Sequence, residues 1–391
     1  MNEKLLHTEV QHFIDTNLKT NLPKLVLKGS PFEGISIQEL AEQILCKSKC
    51  INKLPTYFKT SKIYYPKAVN IEQTSSEVTA QYKSNLVTGK SLIDLTGGFG
   101  VDSLFFAKQV QKVTYCEIDK DLSEIVKYNL SLLEMENIHC ENEDGISYLQ
   151  KEKINYDWIY IDPSRRNEQK AKVFKLEDCK PDIAMHLDTL LKYTNNVMIK
   201  LSPFLDIHAT IDQLKFVKEV HVVAVKNEVK ELIILIQKGF DGACKLKTVN
   251  IKTEKNDLFE GMFDSNVKST FSLPKTYLYE PNSAILKAGL FNEVSAQLNL
   301  DKIHNNSHLY TSEKLIVFPG RRFKIIAVHK YNKKQLKKDF SAKQANITTR
   351  NFNESVAQIR KKTGIKEGGN DYLFFTKDKE DRAIMIHCIK V

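Results

Sequence analysis

Nothing in this chain approaches the roughly 18 uninterrupted apolar residues of a membrane-spanning helix. Its opening residues, MNEKLLHTEVQ, lack both a basic stretch and an apolar one, so a secretory signal is not expected and a cytoplasmic location is. Cys-x-x-Cys pairs are missing too. The seven cysteines, at 46, 50, 116, 140, 179, 244 and 388, are odd in number and scattered, which argues against a disulfide framework and for reduced thiols. The spacing of Cys46 and Cys50 is compatible with a metal shared with His7 or His12. Because Cys46 falls on an amphipathic helical stripe, packing is the expected role and no metal is expected. No internal repeat or low-complexity tract occurs.

Excess charge is absent from most of the chain. Residues 311–391 hold 19 Lys and Arg against 8 Asp and Glu, a net of +11, while the other 310 residues hold 39 basic against 40 acidic groups. A basic module beside a near-neutral remainder points to a polyanion, because phosphate neutralisation supplies sequence-independent affinity. RNA, tRNA or rRNA, is the expected partner, with a lysine-rich solvated face as the alternative. At 391 residues and 42% hydrophobic composition, two to four domains are expected.

What the chain does contain is concentrated in SLIDLTGGFGVD (91–102), a short apolar strand ending in Asp94 and running into a glycine-rich turn. Gly97, Gly98 and Gly100 permit positive φ and a close approach of backbone amides to a bound group. A dinucleotide fingerprint starting at Gly98 would need glycine at 103, where Ser103 stands. A P-loop ending in Gly89-Lys90-Ser91 would need glycine at 84, where Ser84 stands, and a lysine that opens a helix instead of preceding a strand.

Further strand-end acids follow in series. Strand VTYC (113–116) ends at Glu117, 23 residues after Asp94, where an acid can accept the hydroxyls of a ribose. Asp144-Gly145 follows Ile138 and His139, and the nearly continuous apolar strand in DWIYIDPSRR (157–166) ends in Asp162-Pro163, as a parallel strand covered on both faces should. Strands 219–225 and 231–237 are too close for a crossover, so they must pair antiparallel. Strand NVMIKL (196–201) leads to Ser202-Pro203 at another strand end.

Before the sheet, Leu6, Val10, Phe13, Ile14 and Leu18 form one helical stripe, and Ile37, Leu40, Ala41, Ile44 and Leu45 form another behind a Ser36/Glu39 capping box. Thr74 with Glu77, and Asp121 with Glu124, read as further boxes. Past Gly239, residues 241–257 read as strand and loop leading away from the sheet. A helix capped by Asn282 or Ser283 follows, then a strand at 323–330, helices around 333–340 and 354–364, and strands DYLFFT and RAIMIHCIK.

The series D-x-x-x-G-x-G, Glu117, Asp144-Gly145 and Asp162-Pro163 resembles that of the class I S-adenosylmethionine-dependent methyltransferases. IYYPKAVNIEQTSSE, DLTGGFGVDS, YIDPSRR, IKLSPFLDI, YLYEPNSAILKAG, FPGRRFK and ITTRNFNESVAQIRKKTGIKEGGNDYLF extend the resemblance over nearly the whole chain, to a bacterial family of these enzymes with a small ferredoxin-like domain and a C-terminal THUMP-like domain. The resemblance implies an α/β fold: a Rossmann-like, mostly parallel sheet closed by an antiparallel hairpin, with an N-terminal helical unit and small α+β C-terminal domains. The expected divisions are 1–73, 74–240 for the methyltransferase, 241–316 for linker strands and the ferredoxin-like domain, and 317–391 for the THUMP-like domain. It implies S-adenosylmethionine as cofactor, held by Asp94, Thr96, Gly97, Gly98, Gly100, Asp102, Glu117, Ile118, Asp144, Gly145 and Asp162, with Asp144 meeting the adenine amino group.

Enzymes of this class that methylate nucleobase amines carry (N/D)-P-P-(Y/F/W), whose first side chain accepts a hydrogen bond from the target NH2 and holds its lone pair toward the methyl group, which is positioning rather than strong base catalysis. This chain keeps Asp162 and Pro163 but has Ser164 and Arg165, and the four are the candidate catalytic residues. Stacking on a base would then fall to Arg165, or to Tyr64 or Tyr65, unless Arg165 and Arg166 grip a phosphate or form a solvated pair. Arg321, Arg322 and Lys324 are candidate RNA contacts, with structural salt bridging as the alternative. The expected activity is methylation of a base amine in structured RNA, guanine N2 leading. The alternatives are a protein or metabolite methyltransferase, and a cofactor- and RNA-binding protein with weak or no catalysis.

Overall fold

The computed structural model describes residues 1–165, 176–333, 336 and 343–391. Arg166 and most of the helix expected around 333–340 lie outside the described residues. The chain forms two compact units, residues 1–218 with 233–242, and residues 219–232 with 243–391.

The first unit opens with helices. Val10 and Ile14 of helix Thr8–Thr16 and Leu40 and Ile44 of helix Ile37–Lys53 are buried together with Leu5, Leu25 and Ile35. Burying side chains of this size stabilises by about 1.5–3 kcal/mol each. Ser36 and Glu39 form the expected capping box. Tyr64 and Tyr65, expected as possible base-stacking residues, are packing residues instead. Tyr65 is 2% exposed and its hydroxyl donates to Tyr57 O, while Tyr64 packs against the helical cluster and exchanges hydrogen bonds with Asn129 at 2.8 and 2.9 Å. Helix Glu77–Ser84 is capped by Ser76 and not by Thr74. Glu77 turns away to accept the Thr56 amide and hydroxyl at 2.6 and 2.8 Å.

The strands of this region are β1 (Ser91–Asp94), β2 (Lys112–Cys116), β3 (Ile138–Glu141), β4 (Trp158–Ile161), the short β5 (Ser164–Arg165) and β6 (Cys179–Lys180), and β7 (Asn196–Leu201). β1 runs parallel to β2 and β4, β2 to β3, and β4 to β7. The helix after β2, Lys120–Leu132, is capped by Asp119, whose carboxylate accepts the Leu122 amide at 3.1 Å, so the box expected at Asp121 begins two residues too late. β8 (Val217–Val225) and β9 (Glu228–Gln237) are joined by Lys226 and Asn227 alone, both at positive φ, which makes the link a hairpin turn and the pair antiparallel.

β10 (Lys245–Ile251) lies parallel beside β8, and β11 (Asp257–Met262) lies antiparallel beside β10. Residues 241–257 thus extend the sheet where the sequence suggested departure from it. The nine strands run β11-β10-β8-β9-β7-β4-β1-β2-β3. The lysines that made the segment read as strand and loop leaving the sheet occupy the less buried positions of β10, between buried Leu246, Thr248 and Val249.

The second unit also holds an eight-stranded sheet. Its members are β12 (Thr270–Phe271), β13 (Tyr277–Pro281), β14 (Asp301–Lys302), β15 (Tyr310–Ser312), β16 (Gly320–Lys330), β17 (Asn346–Thr349), β18 (Asp371–Lys377) and β19 (Ala383–Lys390), in the order β12-β14-β15-β13-β16-β19-β18-β17. Asn282 caps helix Ser283–Ala288, and Ser355 with Gln358 forms a capping box for helix Val356–Thr363. Leu278, Phe323, Phe374 and Ile386 fill one core, and Ile359, Leu373, Phe375 and Met385 another. No helix among the described residues is long and apolar enough to cross a membrane.

Candidate active site

Parallel strands deliver their carboxyl ends to one edge of a sheet, where ligands of such folds bind. Asp94 sits at the end of β1, 1% exposed, and accepts the Thr96 amide at 3.0 Å and the Ser103 hydroxyl at 2.6 Å. Burial pushes its carboxyl up to about 7, against the pull of those two bonds and with a further upward push from Asp102 and Asp162. Gly97 lies so close to Tyr115 that a Cβ would stand 2.1 Å from the ring, and the Tyr115 hydroxyl donates to Gly98 O at 2.6 Å. Gly98 and Gly100 have φ of 54° and 74°, and Gly100 leads into helix Val101–Phe106.

Glu117, just past β2, accepts the Gly98 amide and the Asp119 amide, both at 2.9 Å, so one acid ties the glycine loop to the next strand end. Burial raises its carboxyl, and the two amides partly offset the rise. Ile118 beside it is 74% exposed. Asn142, which the sequence reading did not single out, donates to Glu117 O at 2.8 Å. Asp144 caps helix Gly145–Glu152 by accepting the Ser147 amide at 2.8 Å. A Cβ on Gly145 would stand 2.5 Å from Leu95 O, so that glycine brings the third strand-end loop against the first.

Asp102 is differently placed from the loop glycines. It is 8% exposed, and its carboxylate faces the fully buried Lys83 ammonium at 3.2 Å while accepting the Ser75 hydroxyl at 2.7 Å and the Tyr160 hydroxyl at 2.8 Å. Burial pushes this carboxyl up, but Lys83, Lys200 and the two hydroxyls outweigh it and hold it below its ordinary value. With its oxygens engaged inside the protein, Asp102 supports the loop from behind.

Asp162 follows β4. Its amide donates to the Thr96 hydroxyl at 2.7 Å, and its carboxylate is ion-paired with Lys200 of β7, whose side chain is 12% exposed. Ile161 and Ile199 are register partners, which is what sets Lys200 opposite Asp162. Lys200 escapes sequence reading because a lysine near the end of NVMIKL looks like a solvent-facing strand residue. Pro163 is buried, Ser164 is exposed, and Ser164 and Arg165 pair with Lys180 and Cys179 through the backbone.

Of the three candidate RNA contacts, Arg321 is committed elsewhere. Arg321 and Arg350 both bind the carboxylate of Glu280, which is 3% exposed, and Arg350 reaches it at 3.0 and 3.2 Å. A buried carboxylate needs such partners, so Arg321 serves first as a structural ion pair. Arg322 donates to Ile316 O at 3.5 Å, and Lys324 is exposed.

The strand order, the hairpin and the glycine loop with acids at successive strand ends define a class I methyltransferase fold. Residues 277–319 match the family model of a ferredoxin-like domain and residues 320–390 that of a THUMP domain-like region. A crystal structure of a candidate methyltransferase from Porphyromonas gingivalis W83 is 28% identical and superposes with a TM-score of 0.87 over 100% of this chain and 99% of that one. Among curated relatives, an uncharacterized RNA methyltransferase of Mycoplasma mobile is 28% identical over 98 residues, 25% of this chain and 27% of that protein. An uncharacterized protein of Acanthamoeba polyphaga mimivirus is 26% identical over 129 residues, 32% of this chain and 50% of that protein. The chain thus spans between about a quarter and a half of the curated relatives it matches.

Proposed function

We propose that this protein is an S-adenosylmethionine-dependent methyltransferase that modifies a nucleobase amine in RNA, with guanine N2 the leading target atom. The observation that carries the reading is the Asp162 loop: a strand-end carboxylate tied through the Thr96 hydroxyl to the glycine loop and ion-paired with Lys200. The likeness to a methyltransferase over the whole chain, and the matching of one segment to an RNA methyltransferase, support the choice of reaction and substrate class.

The residues suit the cofactor. Gly98 leaves open space beside its Cα, with no atom closer than 3.9 Å to a built Cβ; Glu117 stands where a ribose would be met; and the exposed Ile118 offers an apolar surface for an adenine face. The bound cofactor supplies an electrophilic methyl on a positively charged sulfur. Asp162, ion-paired with Lys200, would accept a hydrogen bond from the amine and aim its lone pair toward that methyl. Lys200 fixes the carboxylate and Thr96 fixes its backbone, so the acceptor is oriented before substrate arrives. Transfer would break the methyl–sulfur bond as the carbon–nitrogen bond forms, leaving the neutral thioether, and the amine proton would pass to solvent water, so no strong base is needed. Arg322 and Lys324, with the rest of the basic C-terminal region, supply phosphate attraction.

The test is transfer of tritium from labelled S-adenosylmethionine to total RNA from a strain lacking this protein, with Asp162→Ala as control. Label should enter RNA with the wild type and fall by at least a hundredfold with the variant, and the digested nucleosides identify the atom. Intact cofactor binding without label in RNA would overturn the reading.

A further inference from the structure

The second unit buries a lysine without giving it a counter-charge. Lys302 of β14 is 2% exposed, and among the described residues no carboxylate and no hydrogen-bond acceptor meets its ammonium. Two rings meet it instead, Phe271 and Phe291, each with its centroid 5.9 Å away, at the outer limit of a cation–π contact. Burial lowers the ammonium below its ordinary value. Asp301, next in the chain, faces the other side of the strand and pairs with Lys275 at 2.6 Å.

We propose that Lys302 and His308 form a binding site for a phosphate-sized oxyanion in the ferredoxin-like segment. The site uses none of the methyl-transfer residues and does not depend on the methyl-transfer reading.

Register brings the parts together. Phe271, Lys302 and Tyr310 are partners across β12, β14 and β15, so they stand in a row on one face of the sheet. Helix Phe291–Gln297 is tied to that row by the Tyr310 hydroxyl, which donates to Phe291 O at 2.8 Å. His308, between β14 and β15, has a φ of 52° and lays its imidazole on the Phe291 ring at 3.6 Å and 16°. Phe291 therefore lies against both the ammonium and the imidazole. His308 Nδ1 is buried and has no hydrogen-bond partner. Burial brings the imidazole down to about 4, and the charges of Lys302 and Arg350 push the same way. The ring is thus neutral at pH 7 and can carry its one proton on Nδ1, as a donor.

Positive charge gathers around this imidazole without balance. Glu280 is the shared partner of Arg321 and Arg350, and Lys302 adds a third cation. Glu293, on the helix that carries Phe291, is already bound by the Ser265 hydroxyl. A buried charge with no partner is costly to keep, and exchange for an apolar chain of similar volume is often stabilising. A phosphate supplies the counter-charge for Lys302 and an acceptor for the Nδ1 proton together. Phe271 belongs to β12, the outermost strand of its sheet, and is 43% exposed, which gives the anion a side of approach.

The measurement is calorimetric binding of inorganic phosphate and thermal melting of the full chain, with ionic strength held constant by chloride. The proteins are wild type, Lys302→Met, His308→Phe, which keeps a ring on Phe291, and Lys379→Met as an exposed control. Wild type and the control should bind phosphate saturably, and the other two at least tenfold more weakly. In chloride alone Lys302→Met should melt no lower than wild type, because it loses an unpaired charge and keeps its bulk. Equal phosphate binding by all four, or a wild type that responds to phosphate and chloride alike, would overturn the proposal. So would a Lys302→Met protein that fails to fold or melts well below wild type in chloride, since the lysine would then be a structural support. RNA binding in the same buffers identifies the source of the phosphate. Competition by inorganic phosphate with tenfold weaker RNA binding by Lys302→Met assigns the site to a backbone phosphate of RNA, and unchanged RNA binding assigns it to a free phosphate or mononucleotide.

Discussion

Among single residues, Asp94 carries the clearest pH signature. An unfolded aspartate titrates near 4, and in the folded chain burial holds this one up to about 7. The folded state therefore binds the proton more tightly, so the stability linked to this group is fully present below about pH 4 and is lost as pH rises through about 7. Thermal melts of the ligand-free protein should show wild type losing stability relative to Asp94→Asn across that window and running parallel to it above. A constant difference between the two from pH 4 to 8 would mean that the carboxyl ionises as in water. The acids themselves were legible in the sequence, since Asp94, Glu117 and Asp162 each end an apolar run and the structure sets them at neighbouring strand ends. Lys200 was not, because only pairing between β4 and β7 tells which residue of one strand stands beside which residue of the other. For Tyr64 and Tyr65 packing was the favoured reading over stacking on a base, and the structure bears it out; what nothing within IYYPKAVN announces is that Asn129 and Gln43 bind the backbone there.

At the scale of the element, the glycine loop separates two uses of the same residue type. Gly98 needs its conformation but has room, so Gly98→Ala should cost about 1 kcal/mol of backbone strain. Gly97 needs room, and Gly97→Ala must displace the Tyr115 ring and its bond to Gly98 O, for about 1–3 kcal/mol and a larger loss of cofactor affinity. Thermal melts with cofactor titration check the ranking, which would be wrong if Gly98→Ala proved the more damaging. Element type was well marked by periodicity, while boundaries moved where two cap residues stood close together: Ser76 near Thr74, and Asp119 near Asp121. The hairpin was legible from the shortness of its link alone. That β10 joins the same sheet was not, because a lysine-rich strand does not tell which strand it pairs with.

For the whole molecule, the charge division makes the ionic-strength test informative. RNA affinity should fall linearly on a log–log plot against salt, with a slope of roughly −0.7 to −0.9 for each phosphate neutralised, while cofactor affinity stays nearly flat. A shallow slope for RNA would assign the basic region to solubility. Net charge was readable from composition, but its availability was not. Arg321 and Arg350 are both spent on Glu280, so the free positive surface is smaller than the count of basic residues suggests.

One hydroxyl deserves a last consequence. Thr96 belongs to the loop that would meet the methyl donor, and it holds the backbone of the residue that would receive the acceptor. On the proposed reading one hydroxyl thus belongs to both halves of the reaction, and removing it would loosen the donor loop and the acceptor carboxylate together.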